Sequence, residues 1–353
     1  MPDAIPLLDL QAMERARVRQ ASLTKPAGSL GRLEELSIRL AGMTGRLDPP
    51  LRDAVVFTLA ADHGVAAEGV SAYPREVTPQ MVLNFLRGGA AINVIAREVG
   101  ARVVVADMGV DADLPDDPGL RAVKIRRGTA NIARGPAMTV DEASRAIEAG
   151  RELVRTEKHL GLDIVLTGDM GIANTTASAA IICAFTGLSP AVVVGRGTGV
   201  DDEGLMRKRD AVGRALAVNV GAIAAGPLET LAAVGGLEIA GLTGVILEAA
   251  AERKPVIIDG FISGAAALAA TALEPAVNGY LIASHRSQEL GHGPVLERLG
   301  LAPLLDLELR LGEGTGAALA LPIVRTSVRL LNEMATFGEA GVSERAIMVP
   351  TTE

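Results

Sequence analysis

The residues with the clearest chemical potential sit in glycine-rich loops. Leu311-Gly312-Glu313-Gly314-Thr315-Gly316 holds one carboxylate between glycines, after a largely apolar stretch from Leu301 to Leu307 and before Ala317 to Leu321. The sequence offers it little to pair with, so burial would raise its pKa and make it a general base. The same glutamate could instead serve a helix N-terminus, where the dipole favours an acid. Gly168-Asp169-Met170-Gly171-Ile172-Ala173 closes an apolar run and opens into Asn174-Thr175-Thr176. Backbone N–H groups, hydroxyls and the positive end of a helix dipole at that point would bind a phosphate. Read purely as structure, Asn174 or Thr175 caps the helix.

A second loop, Gly195-Arg196-Gly197-Thr198-Gly199, runs through Asp201-Asp202-Glu203 into a helix, with Lys208 further along it. Its third glycine comes one residue early for the GxGxxG of a dinucleotide fold, and the GKS or GKT of a Walker A loop is missing, which counts against NAD and ATP. Lys208 is either a phosphate ligand or one member of a solvated cluster with Arg207 and Arg209. Three further polar clusters each follow an apolar run: Asp62-His63-Gly64, Asp259 to Gly264, and Ser284-His285-Arg286-Ser287-Gln288. His63 and His285 could hydrogen-bond within a site or be satisfied structurally. His159 lies on a charged helix and reads as surface. With His292, these four histidines form no HxH or HExxH pattern, and metal chemistry has thin support. There is no GxSxG elbow. The single Cys183, in the apolar run 180–184, reads as a buried structural thiol.

Elements that could bring these loops together follow from the hydrophobic rhythm. Apolar runs at Ala54 to Ala61, Val103 to Ala106, Ile164 to Thr167, Val256 to Ile258 and Tyr280 to Ala283 predict buried strands. Periodic stretches near 77–99, 139–160, 174–187, 202–224 and 262–273 predict helices between them. Ser189-Pro190 as N-cap and first helical residue tips 190–194 towards helix. Alternation of this kind predicts an α/β fold with a parallel sheet. In such sheets ligands bind beyond the carboxyl ends of the strands, which is where the polar clusters fall. Residues 1 to about 47 read as helical, interrupted by a loop at Lys25 to Gly31 and stopped by Asp48-Pro49-Pro50. A long amphipathic helix at 314–335 precedes a turn-like Phe337 to Gly341. We therefore expect a large domain over 51–313 carrying the site, and a small helical domain from 1–50 together with 314–353.

Composition narrows the class. The 353 residues are 49% apolar and 22% charged, which excludes a disordered chain, and the 40 glycines follow no collagen triplet. A net charge of −8 provides no basic field for nucleic acid or an anionic membrane. Asp3 falls where a signal peptide would be basic, and no run reaches the roughly 18 apolar residues of a membrane span, so a cytoplasmic protein is expected. With only 2% aromatic residues, a heterocyclic ligand would be sandwiched by aliphatic side chains rather than stacked on rings.

Taken in order, the blocks TKPAGSLGRLE, ADHGV, SAYPREVTPQMVLNFLRGGAAIN, GDMGIANTTASAA, VGRGTGVDDEGL, IIDGFISGAAALAA, SHRSQELGH and LRLGEGTGAALA resemble the nicotinate-nucleotide:dimethylbenzimidazole phosphoribosyltransferase family of cobalamin biosynthesis. The resemblance spans nearly the whole chain. It implies a Rossmann-like parallel sheet with helices on both faces, a small helical subdomain built from both termini, and a homodimer. It also implies transfer of 5-phosphoribose from nicotinate mononucleotide to 5,6-dimethylbenzimidazole with inversion, without metal or cofactor. By position, Glu313 matches the family's catalytic base. Gly171, Asn174, Thr175, Thr176, Gly197, Gly199 and Lys208 match segments that hold the ribose phosphate, and Gln80, Met170 and Leu311 match positions lining the base pocket. Asp62, His63, Asp169, Asp259 and Ser284 are further candidate polar site residues. Asp169 departs from the family's usual glutamate.

Overall fold

A computed structural model describes residues 4–343. The chain divides into two units, one of Pro50–Pro322 with residues 4–7, the other of Leu8–Pro49 with the residues from Ile323 on. The division runs through the last long helix at Pro322, rather than just ahead of that helix.

The smaller unit begins with α1 (Leu10–Ser22) and α2 (Arg32–Thr44). The Asp9 carboxylate caps α1 by accepting the Ala12 N–H at 2.9 Å. Gly45 ends α2 in the left-handed conformation. Ala12, Ala16 and Ala41 pack with Leu331 in a small core flanked by Ile38 and Leu47. Gln20, buried on α1, donates from Nε2 to Ser37 Oγ of α2 at 2.9 Å.

The larger unit holds β1 (Ala54–Ala61), α3 (Val77–Leu86), α4 (Ala91–Val99), β2 (Ala101–Gly109), β3 (Leu120–Ala122) and α5 (Val140–His159). It continues with β4 (Ile164–Met170), α6 (Asn174–Thr186), α7 (Pro190–Val193), α8 (Asp202–Val218), α9 (Val220–Ala225), α10 (Pro227–Val234) and α11 (Leu237–Ala251). Then come β5 (Val256–Ile258), α12 (Phe261–Leu273), β6 (Leu281–Ala283) and α13 (His292–Leu299); α14 (Thr315–Glu333) is shared between the units, divided at Pro322, and the short α15 (Phe337–Ala340) belongs to the smaller unit.

The six strands lie in the order β3-β2-β1-β4-β5-β6, and every neighbouring pair is parallel. This is the doubly wound arrangement: right-handed crossovers that travel in opposite directions from the centre put their helices on opposite faces. Every residue of β1 is buried, as a central strand covered on both faces must be. The order reverses between β1 and β4, and a crevice opens beyond their carboxyl ends.

Several elements depart from the sequence reading. The helix expected over 77–99 is two, because Gly88 takes a positive φ of 75° and breaks it. That expected over 202–224 is likewise two, because Asn219 interrupts it and its amide bonds to Ile132 O at 3.1 Å and Ala215 O at 2.9 Å. The turn-like Phe337 to Gly341 is a one-turn helix ended by Gly341. Residues 190–193 are helical. Unforeseen are β3, a three-residue edge strand, and α10, α11 and α13. α11 is buried along nearly its whole length, so it lacks the polar face that betrays a helix. It lies tightly against α5. A Cβ on Gly244 would come within 1.9 Å of Ile147 O, which leaves glycine as the only residue that fits.

Candidate active site

The loops after β1, β4, β5 and β6 meet the loop before α14 around a cavity of about 450 Å³. Glu313 borders it. A positive φ of 64° turns its backbone back towards the sheet, where its carbonyl accepts from Thr58 Oγ1 on β1 at 3.0 Å. Its N–H donates to Asp169 O at 3.3 Å. A Cβ on Gly168 of β4 would come within 2.3 Å of that same Glu313 carbonyl oxygen, so only glycine lets the loop lie this close to the strand.

The Glu313 carboxyl is buried, 5% exposed, and accepts only the Ile92 N–H of the first turn of α4 at 3.3 Å. No ion pair reaches it among the described residues. Burial pushes its pKa up, with the Ile92 hydrogen bond as the opposing influence. A carboxylate held off its ordinary value, facing a cavity and lacking a counter-ion, is equipped to take a proton.

Asp259, at the end of β5, holds this loop from behind. Its Oδ1 accepts the N–H groups of Gly316 at 2.7 Å and Ala317 at 3.0 Å, and its Oδ2 accepts that of Gly314 at 3.2 Å. Burial raises its pKa to about 7 against the pull of those three bonds. Ser284 Oγ donates to Asp259 O at 2.9 Å and lies 3.0 Å from His285 Nδ1, so β6 braces β5. Burial lowers the His285 pKa to about 4, leaving the ring neutral. Asp169 borders the cavity, and its Oδ2 accepts from Asn174 Nδ2 at 2.9 Å. Burial, then the charges of Asp259 and Glu238, drive its pKa well above the usual range.

At the other end of the cavity Lys208, 1% exposed, donates from Nζ to Thr175 Oγ1 at 2.7 Å, close against Gly197. Burial lowers its pKa to about 8, with Glu289 opposing the shift. It is therefore no member of a solvated cluster. Arg310 donates to Gly197 O at 3.1 Å and joins the glycine loop to the Glu313 loop.

Of the residues singled out from sequence, Asp169, Met170, Gly171, Asn174, Thr175, Gly197, Leu311 and Glu313 line the cavity. Lys208 touches it through Thr175. Gly199 lines a neighbouring cleft with Arg196 and Glu289, and Thr176 is wholly buried in α6 behind the wall. Gln80 is exposed on α3 and off the cavity wall, where the same helix presents Val77 and Met81. Asp62 and His63 lie outside the wall. Asp62 Oδ2 accepts the Asp111 N–H at 2.8 Å, and His63 Nε2 is 2.7 Å from Glu238 Oε1 with both side chains buried. Asp259 and Ser284 act from behind. Sequence reasoning missed Tyr73, Phe261, Glu289, Arg310 and Glu238. Two of the chain's seven Phe and Tyr residues, Tyr73 and Phe261, thus line the cavity beside the aliphatic Met81, Met170, Ile172 and Leu311. The signals were present: Tyr73 and Arg310 adjoin matched motifs, and Glu238 is a charge inside an apolar run. Among the described residues no cluster of three or more His, Cys, Asp or Glu could hold a metal ion, and no helix is long and apolar enough to cross a membrane.

Fold and site together define a doubly wound α/β protein with a ligand cavity at the switch point of its sheet, with a buried lysine beside one end and the Glu313 carboxyl, free of ion pairs among the described residues, at the other. The chain belongs to the phosphoribosyltransferase family whose model matches residues 5–342. It is 60% identical over 96% of its length to the nicotinate-nucleotide–dimethylbenzimidazole phosphoribosyltransferase of Chloroflexus aggregans, covering 96% of that protein. The Geobacter sulfurreducens protein of the same name is 56% identical over 96% of each chain. The crystal structure of the Thermus thermophilus nicotinate-nucleotide–dimethylbenzimidazole phosphoribosyltransferase superposes with a TM-score of 0.91 at 54% identity, covering 96% of this chain and 100% of that one.

Proposed function

We propose that this chain transfers the 5-phosphoribosyl group of nicotinate mononucleotide to 5,6-dimethylbenzimidazole, yielding α-ribazole 5′-phosphate and nicotinate, with Glu313 as general base. The names of its close relatives support the substrates. The observation that carries the chemistry is the buried, ion-pair-free Glu313 carboxyl bordering the same cavity as the Lys208–Thr175 pair.

The charges suit the reaction. In the nucleotide the pyridine nitrogen bonded to the ribose is already cationic, so its departure with the bonding electrons gives neutral ring nitrogen and needs no general acid. The azole, by contrast, must lose its N–H proton as it bonds to the anomeric carbon, and the Glu313 carboxylate takes it. Attack on the face opposite nicotinate turns the β-glycosidic bond into an α bond. Lys208 and the Gly171 to Thr175 turn hold the phosphate, which fixes the anomeric carbon relative to Glu313. Met170 and Leu311, with Met81, supply apolar surface for the acceptor. Such walls separate bases differing by one methyl only by about 1–3 kcal/mol, so related benzimidazoles are expected to react.

Incubation of the protein with nicotinate mononucleotide and a panel of bases, with products read by mass, tests the proposal. An α-ribotide with equimolar nicotinate is expected. Absence of a ribotide from every base would leave only a nucleotide- or benzimidazole-binding protein. A homodimer in the cytoplasm belongs to the same reading. Sedimentation velocity showing a monomer at micromolar concentration would remove the dimer.

A further inference from the structure

Glu289 is a buried carboxylate whose side chain makes no hydrogen bond or ion pair among the described residues. It is 7% exposed, and no donor bonds either side-chain oxygen among the described residues; Oε2 is sealed from solvent against Gly195, which leaves Oε1 as the oxygen a ligand can reach. No Lys, Arg or His lies within ion-pair distance among the described residues. Burying an unpaired carboxylate is costly, and structures retain the arrangement where a ligand supplies the missing donor. The loop that carries it is fixed: the Glu289 N–H donates to Ser287 Oγ at 3.3 Å and its carbonyl accepts the His292 N–H at 3.0 Å. Its side chain borders the cavity and packs on Gly195, where a Cβ would come within 2.4 Å of Oε2.

The position limits what the ligand group can be. Lys208 and Thr175 meet at Gly197, two residues from Gly195, so Glu289 stands next to the phosphate end of the cavity. A carboxylate repels a phosphate, and the Lys208 ammonium bonds Thr175 and not Glu289. The part of a phosphorylated sugar that lies beside the phosphate and offers only donors to an acceptor is its pair of ribose hydroxyls. Resting on the function proposed above, we infer that Glu289 accepts hydrogen bonds from the ribose hydroxyls of the nucleotide and sets the preference for ribose over deoxyribose. It is a specificity residue, acting through contact with the sugar rather than with the reacting bond.

Titration calorimetry without acceptor base, comparing nicotinate mononucleotide with its 2′-deoxy analogue, tests this. Wild-type protein should bind the deoxy nucleotide about 10- to 100-fold more weakly, the weight of hydrogen bonds to a charged acceptor. In Glu289→Ala that ratio should collapse to near one, and Glu289→Gln, which keeps one acceptor and the side-chain volume, should retain part of it; circular dichroism checks that both variants fold. If Glu289 acted only through the charge of Lys208, both nucleotides would change affinity together and the ratio would persist in Glu289→Ala, overturning the inference. Equal binding of the two nucleotides by the wild type would also overturn it. Binding of neither would instead bring down the proposed function itself.

Discussion

The Asp259 carboxylate accepts the backbone N–H of Gly316 at 2.7 Å, and through it and the neighbouring N–H groups the end of β5 holds the loop that presents Glu313. Asn at this position would turn an N–H₂ towards a backbone N–H. Asp259→Asn is expected to lower kcat by about 10- to 100-fold, the cost of a lost charge-assisted bond plus a buried unpaired donor, with KM for the nucleotide little changed. Asp259 titrates near pH 7 and Glu313 above its ordinary range, so two carboxyls shape the acid limb of the wild-type kcat profile. The limb should become less steep in Asp259→Asn. A rise in KM with unchanged kcat would assign Asp259 to binding.

Lys208 should give the pH profile its alkaline limb. Its pKa in the free protein is lowered to about 8, so it is charged below that pH and neutral above it. Capture of the phosphate needs the charge, and kcat/KM for the nucleotide should therefore fall as pH rises through about 8. A bound phosphate favours the ammonium, so the limb in kcat should lie at higher pH. Lys208→Met should lower kcat/KM roughly 100-fold and erase the limb. A limb that persists in that variant would belong to another group.

Much of this site was legible because its chemistry sits at strand ends. Asp169, Asp259 and Ser284 each stand at or just beyond a run of apolar residues long enough to read as a buried strand, and the parallel topology then fixes where such residues meet. The doubly wound fold was legible for the same reason. α11 was not, since periodicity vanishes when a helix is buried on every side, and β3 is too short to announce itself. Gln80, matched to the base pocket by resemblance, stands exposed on α3, while Val77 and Met81 of the same helix border the cavity. Glu289 escaped notice because a buried, unpaired carboxylate is defined by its surroundings, which a sequence does not display.

Gly168→Ala tests how the Glu313 loop is seated. The added Cβ would stand 2.3 Å from Glu313 O and 2.8 Å from Gly314 N, so the loop has to move away from β4. Overpacking of this kind costs about 1–3 kcal/mol of stability. We expect a lower thermal midpoint and a kcat reduced at least tenfold, while calorimetric binding of nicotinate mononucleotide survives. Full activity in Gly168→Ala would show that the position of the loop does not matter to the reaction.

Asp169→Asn should stabilise the protein in alkaline solution. The folded-state pKa of Asp169 lies well above its unfolded value, so the folded state is penalised by this group once the unfolded carboxyl ionises. The penalty is absent in acid, where both states are protonated, and grows as pH rises above the unfolded pKa. Asn keeps the acceptor for Asn174 without the charge. The thermal midpoint of Asp169→Asn should exceed that of the wild type by a few degrees at pH 8, with the difference shrinking towards pH 4. A lower midpoint at pH 8 would mean that the ionised carboxylate is stabilised in the folded protein.

The most direct measurement is the rate of α-ribotide formation from nicotinate mononucleotide and 5,6-dimethylbenzimidazole by Glu313→Gln beside wild type, with nucleotide affinity determined on the same preparations. Loss of a positioned base should slow transfer by about 10²- to 10⁴-fold, with nucleotide affinity largely intact. Wild-type turnover in Glu313→Gln would contradict the assignment of the base.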